Sequence, residues 1–174
     1  MTNPDFKSLL NCRVAILGIG NRLWRDDGAG SVLAERLKAA NPKAPIFDGG
    51  MAPENFLEKV AAARPEHILL IDAADFGGEP GEWRLFSGEE LAFTGVSTHA
   101  GSPRMLAAYL EERTGARVEL LAIQPADTGE GSELSPKVAK TVDFLASSSR
   151  PRRQSPTTRH PGICEANIRD LPAS

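Results

Sequence analysis

Cysteine is scarce in this 174-residue chain: Cys12 and Cys164 are the only two. Two thiols placed so far apart fit neither a disulfide framework nor a paired zinc motif, which excludes a stapled miniature fold and a zinc ribbon. Long apolar runs are missing too. None approaches the ~20 residues of a membrane-spanning helix, and the lead-in before Cys12 lacks the apolar core of a signal peptide. A cytoplasmic protein is the expectation. Positive charge is not in excess: the formal net charge is −3, which argues against a nucleic-acid partner. Three familiar chemistries are also absent. Gly18-x-Gly20 is followed by Leu23 where a dinucleotide fingerprint needs its third glycine, no Gly-Lys-Ser/Thr phosphate loop occurs, and no Gly-x-Ser-x-Gly elbow supplies a serine nucleophile.

The composition that remains, 41% hydrophobic and 25% charged, is that of one globular domain. The charge is uneven. Residues 147–174 carry five arginines against two acids and read Ser-Ser-Ser-Arg-Pro-Arg-Arg-Gln-Ser-Pro at their start, so the body is more acidic than the total. The domain is expected over residues 1–146, with 147–174 a basic tail too poor in apolar periodicity to fold.

Apolar runs alternate with helical patterns along the body. Strands are expected at Arg13 to Leu17, Ala44 to Phe47, His67 to Ile71 and Arg117 to Ile123, with a more exposed one at Glu82 to Phe86. Helices are expected from the Asp26-Asp27 pair to about Ala40, from Pro53 to about Ala63, over Pro103 to Arg113 and over Ser135 to Ala146. Thr94 to Ser102 reads as a loop. This order predicts an α/β fold: a three-layer α/β/α sandwich on a mostly parallel, about five-stranded sheet with one antiparallel edge strand.

Acids emerge where strands end: Asp26 and Asp27 after the first, Asp48 after the second, Asp72 and Asp75 after the third. Parallel strands bring these ends to one edge, where open α/β sheets bind ligands. His99 comes from a later loop. One imidazole with two carboxylates suits a divalent transition metal. Each acid also has a plainer reading: Asp26 or Asp27 as a helix cap, Asp48 as a turn residue before two glycines, Asp72 as a local acceptor. His67 and His160 have no assigned role.

The spaced motifs Gly18-x-Gly20-Asn21-x4-Asp26-Asp27-Gly28-x-Gly30, Asp48-Gly49-Gly50, Asp72-Ala73-x-Asp75, Ser97-Thr98-His99 and Gln124-Pro125 resemble the [NiFe] hydrogenase maturation proteases over about Val14 to Leu145. Met51-Ala52-Pro53-Glu54-Asn55 and Ala122-Ile123-Gln124-Pro125 look closest to the branch serving hydrogenase 3. The resemblance implies an endopeptidase that removes a C-terminal peptide from the precursor of a hydrogenase large subunit. Nickel, carried by that precursor, would be recognised by Asp27, Asp72 and His99, and zinc or cadmium could take its place in vitro. Asp27, Asp48 and Asp72 would be the catalytic residues, with no permanent cofactor, no membrane span and a monomeric enzyme. Many members have proline where this chain has Ser31, a change at a helix start. Two other readings stay open at this stage: a non-catalytic nickel chaperone, and a nucleoside- or phosphate-binding enzyme on a similar sheet.

Overall fold

Val14–Ile19 (β1) is apolar until its glycine, and its residues from Ala15 to Ile19 are buried, as a central strand requires. In the computed structural model, which describes residues 13–93 and 102–148, β1 pairs in parallel with β2 (Ile46–Gly50) on one side and β3 (His67–Ala73) on the other. Next to β3 lies the parallel β5 (Arg117–Ile123), and β4 (Trp83–Ser87) closes that edge antiparallel to β5. The strand order β2-β1-β3-β5-β4 gives the expected five-stranded, mostly parallel sheet.

Side chains alternate between the two faces along each strand, and each face has its own core. Ala15, Leu17, Ile68, Leu70, Val118 and Leu120 pack with Val60 of α2 (Leu57–Ala62), Leu91 of α3 (Gly88–Phe93) and Leu106 and Leu110 of α4 (Pro103–Thr114). Ile16, Leu69, Ile71 and Leu121 pack with Leu33 and Leu37 of α1 (Ala29–Ala40) and with Val138, Val142 and Leu145 of α5 (Pro136–Ser148). These are the three layers. No described helix is long and apolar enough to cross a membrane.

Several boundaries differ from the expected ones for physical reasons. Asp48-Gly49-Gly50 belongs to β2 rather than following it, and β3 runs on to Ala73 because Asp72 and Ala73 still pair with Ala122 and Ile123. The segment from Pro53 begins as a 3-10 turn, Pro53–Phe56, before α2. α3 has no counterpart in the sequence reading. Its mark is a capping box: Glu90 N donates to Ser87 Oγ (3.3 Å) while Glu90 Oε2 accepts from Ser87 N (2.8 Å). α5 takes in Ser147 and Ser148, the first two residues of the expected tail, and residues 149–174 lie outside the described residues.

Candidate active site

β1 ends where the strand order reverses, with β2 built on one side of it and β3 on the other. The crevice at such a switch point is the usual ligand site of an open α/β sheet. Two glycines let the chain close over it. Gly20 has φ +133° and a Cβ there would fall 1.9 Å from the Asp27 carbonyl oxygen; at Gly30 it would fall 2.2 Å from the Ile71 oxygen and 2.4 Å from that of Ile19. α1 therefore begins pressed against the ends of both β1 and β3, closer than any side chain permits.

The Asp26-Asp27 pair divides its labour, and neither residue caps α1. They lie in a 3-10 turn, Arg25–Gly28, and Gly28 is the N-cap, with no side-chain capping bond. Asp26 is fully buried. Its carboxylate accepts from the backbone N–H groups of Ala126 (2.8 Å), Asp127 (3.0 Å) and Ser135 (2.6 Å). Burial pushes its pKa up, but the three amides from Ser135, Asp127 and Ala126 outweigh this and leave it below the usual carboxylate range. The same loop holds Arg25 in a left-handed conformation, φ 42°, through Arg25 N to Gly131 O at 2.7 Å. Asp26 is thus the anchor of the 126–135 loop. Asp27 is only partly buried and accepts from Asn21 N at 2.8 Å, which ties it to the turn after β1.

Asp72 stands across the crevice from this turn. Burial, and next the negative charge of Asp27, push its pKa up to about 7, against a smaller opposing contribution from the Ala73 N–H. The Asp27 carboxylate, on the turn after β1, is therefore close enough to oppose ionisation of Asp72 at the end of β3, an arrangement that a cation relieves. Among the described residues no group of three histidine, cysteine, aspartate or glutamate side chains could hold a metal. His99, the third ligand expected from the sequence, lies outside the described residues, as do Ser97 and Thr98.

Asp48 occupies a different position. Its Cα pairs with Gly18, which in turn pairs with Ile71, so Asp48 is two strand spacings, about 10 Å, from the β3 end. Alternation sets it on the α1 face with Ile46, whereas Asp72 follows Leu70 onto the opposite face. Its carboxylate accepts from Ser31 Oγ (2.6 Å), Arg22 Nη2 (2.8 Å) and Gly50 N (3.1 Å). The last of these is the turn bond expected before two glycines; the first two are not foreseen by the sequence reading.

The remaining motif residues organise loops. Gln124, buried after β5, accepts from Phe76 N (3.0 Å) and Gly78 N (3.1 Å) and donates to Asp75 Oδ1 (3.1 Å). Asp75 Oδ1 also accepts from Gly77 N, and that amide, then Gln124, holds its pKa low. The loop beyond Asp72 is thereby fixed to β5. Gln124→Leu is expected to lower the melting temperature by about 5 °C, since two orphaned amides cost about 1.5–2 kcal/mol together. Faster hydrogen exchange at Phe76 and Gly78 checks the cause. His67, unassigned from sequence, sits at the opposite edge of the sheet with Nε2 3.0 Å from the buried Glu119 Oε2, remote from the carboxylates. Burial pushes the Glu119 pKa up, but His67 and then Arg117 draw it below its ordinary value.

This geometry has known counterparts. A family model described as HycI, hydrogenase maturation protease, matches residues 31–149. The chain is similar to the hydrogenase 3 maturation protease of Escherichia coli K12, with 39% identity over 117 residues that make up 66% of this chain and 74% of the relative. It is similar to the hydrogenase expression/formation protein HupD of Bradyrhizobium diazoefficiens, 34% identical over 75% of this chain and 72% of that one. Among solved structures, the [NiFe] hydrogenase maturation protease HycI of Thermococcus kodakarensis KOD1 superposes with a TM-score of 0.72 at 36% identity, over 78% of this chain and 88% of its own. The solution structure of the Escherichia coli endopeptidase HycI gives 0.67 at 34% identity, over 77% and 86%. With its α/β architecture and a family match covering most of its length, the chain belongs to the hydrogenase maturation proteases, and is a peptide-bond hydrolase.

Proposed function

We propose that this protease removes a C-terminal peptide from the precursor of a [NiFe] hydrogenase large subunit and recognises the nickel that the precursor carries. One observation carries the reading: Asp27, from the turn after β1, and Asp72, at the end of β3, come together at the switch-point crevice, where the charge of Asp27 disfavours ionisation of Asp72. A cation delivered by the substrate would be welcome there. His99 completes the set. It precedes Ser102, the N-cap of α4, by three residues. α4 connects to β5 through only Gly115 and Ala116 at its far end, so its N-terminus lies at the carboxyl edge, on the face of Asp72.

One imidazole and two carboxylates without a thiolate form a weak, open site, suited to borrowing a metal rather than keeping one. Asp27, Asp72 and His99 would complete the coordination of a metal already held by the precursor. The precursor's C-terminal segment would then lie along the acidic edge. Water attacks the scissile carbonyl, a carboxylate of the cluster takes its proton, and that proton passes to the departing amine as the C–N bond breaks. The rim agrees with a protein substrate: Leu23, Trp24 and Met51 are 68%, 50% and 74% exposed on the two loops that flank the crevice. The enzyme is taken to act as a cytoplasmic monomer without a permanent cofactor. Incubation with nickel-loaded large-subunit precursor tests the reading. Intact mass should show loss of one C-terminal fragment; a precursor left whole by wild-type protein would refute it.

A further inference from the structure

Arg22 lies between the turn after β1 and the end of β2, and four of the five N–H donors of its guanidinium are engaged. Nε donates to Ser31 Oγ at 2.7 Å, Nη1 to Glu35 Oε2 at 2.5 Å, and Nη2 to both the Ser31 carbonyl oxygen (3.0 Å) and Asp48 Oδ2 (2.8 Å). Ser31 is 1% exposed, and its hydroxyl is used in both senses: it accepts from Arg22 and donates its only proton to Asp48 Oδ1 at 2.6 Å. The ring Arg22–Ser31–Asp48 joins the loop after β1, the first turn of α1 and the end of β2.

The β2 turn has bonds of its own: Gly50 N donates to Asp48 Oδ1 (3.1 Å), Ala52 N to the Gly49 carbonyl (3.1 Å) and Gly20 N to the Gly50 carbonyl (3.0 Å). What Arg22 and Ser31 add is a fixed rotamer for a carboxylate that is 39% exposed at the edge of the crevice. A carboxylate offers about four lone-pair sites. Two donors occupy Oδ1 and one occupies Oδ2, leaving a single acceptor position on Oδ2. We infer that Arg22 and Ser31 are positioning residues that hold Asp48 as a fixed, single-site acceptor for the substrate chain. Proton transfer falls to the Asp27–Asp72 pair across the crevice. The inference rests on the protease reading above and assigns the part Asp48 plays in it.

An acceptor that only holds the substrate contributes uniform binding, so loosening it raises KM and spares kcat. Ser31→Ala should raise KM for the precursor about tenfold with kcat within about twofold of wild type. Ser31→Thr keeps the hydroxyl and should return KM to within about twofold, whereas Arg22→Lys should not rescue, since one ammonium cannot bridge four acceptors. Combining Ser31→Ala with Asp48→Asn should cost no more than Asp48→Asn alone. A wild-type KM in both Ser31→Ala and Arg22→Gln would overturn the inference, as would a fall confined to kcat. A second readout needs no substrate. In thermal melts the losses from Arg22→Gln and Asp48→Asn should overlap, the double variant falling short of their sum by about 2 °C or more. Additive losses would remove the clamp while leaving the protease reading intact. Overlapping losses in a protein that cleaves no precursor would instead refute the protease reading and, with it, the role given to Asp48.

Discussion

Asp26→Ala is expected to lower the melting temperature by about 10 °C at neutral pH. The carboxylate is fully buried and serves three backbone N–H groups. Removing it strands all three donors, and hydrogen bonds to a charged acceptor are the stronger kind. The loss should be about 3–4 kcal/mol, at about 2–4 °C per kcal/mol for a chain of this size. The effect should depend on pH with a definite sign. Asp26 has a folded-state pKa below its unfolded one, so its stabilisation is complete above the unfolded value and is lost as pH falls through the folded value. Calorimetric melts should therefore show the gap between wild type and Asp26→Ala narrowing in acid. A loss under about 3 °C at pH 7, roughly 1 kcal/mol, would mean that the 126–135 loop is held by something else.

Asp72→Asn should do the opposite to stability and remove function. In the metal-free protein the Asp72 carboxyl is raised to about 7, by burial first and by Asp27 second. Between its unfolded value near ~3.9 and its folded value the native state holds the extra proton, so wild-type stability falls as pH rises through that window. Asparagine keeps the shape and cannot ionise. The variant should therefore be more stable than wild type at pH 8, by up to about 4 kcal/mol, and the difference should vanish near pH 4. Precursor processing should fall by about 100-fold or more, because the proposed role of Asp72 as catalytic carboxylate and metal ligand is lost. Melts of both proteins at the two pH values, beside cleavage assays, check this. A variant less stable than wild type at pH 8 would show that the Asp72 charge supports the fold.

The fold was largely legible in the sequence because buried parallel strands are continuous apolar runs, and those of β1, β3 and β5 are plain. The convergence of Asp27 and Asp72 follows from the same runs, since Asp72 stands at the end of β3 and Asp27 on the turn that follows β1 at the same edge. What stayed hidden depends on partners distant in the chain. Nothing local distinguishes Asp26 from Asp27; the difference is made by amides about a hundred residues later, at Ala126, Asp127 and Ser135. Ser31 looks like a helix-start detail until β2 brings Asp48 beside it, and Arg22 carries no mark in a loop defined by glycines and acids. His67 acquires Glu119 only when β3 and β5 pair. The α3 capping box, by contrast, was present in Ser87-x-x-Glu90 and could have been read.

The central claim is that the metal comes with the substrate and is gripped by Asp27, Asp72 and His99. Its most direct test uses wild-type protease stripped with chelator and then freed of it. The stripped enzyme is offered two preparations of the same large-subunit precursor, one nickel-loaded and one nickel-free, and the C-terminal fragment is followed by mass spectrometry. Cleavage of the loaded precursor alone, with no metal added to the enzyme, is the expected result. Equal cleavage of both precursors would contradict the claim, and so would activity lost on stripping and restored only by returning zinc to the protease.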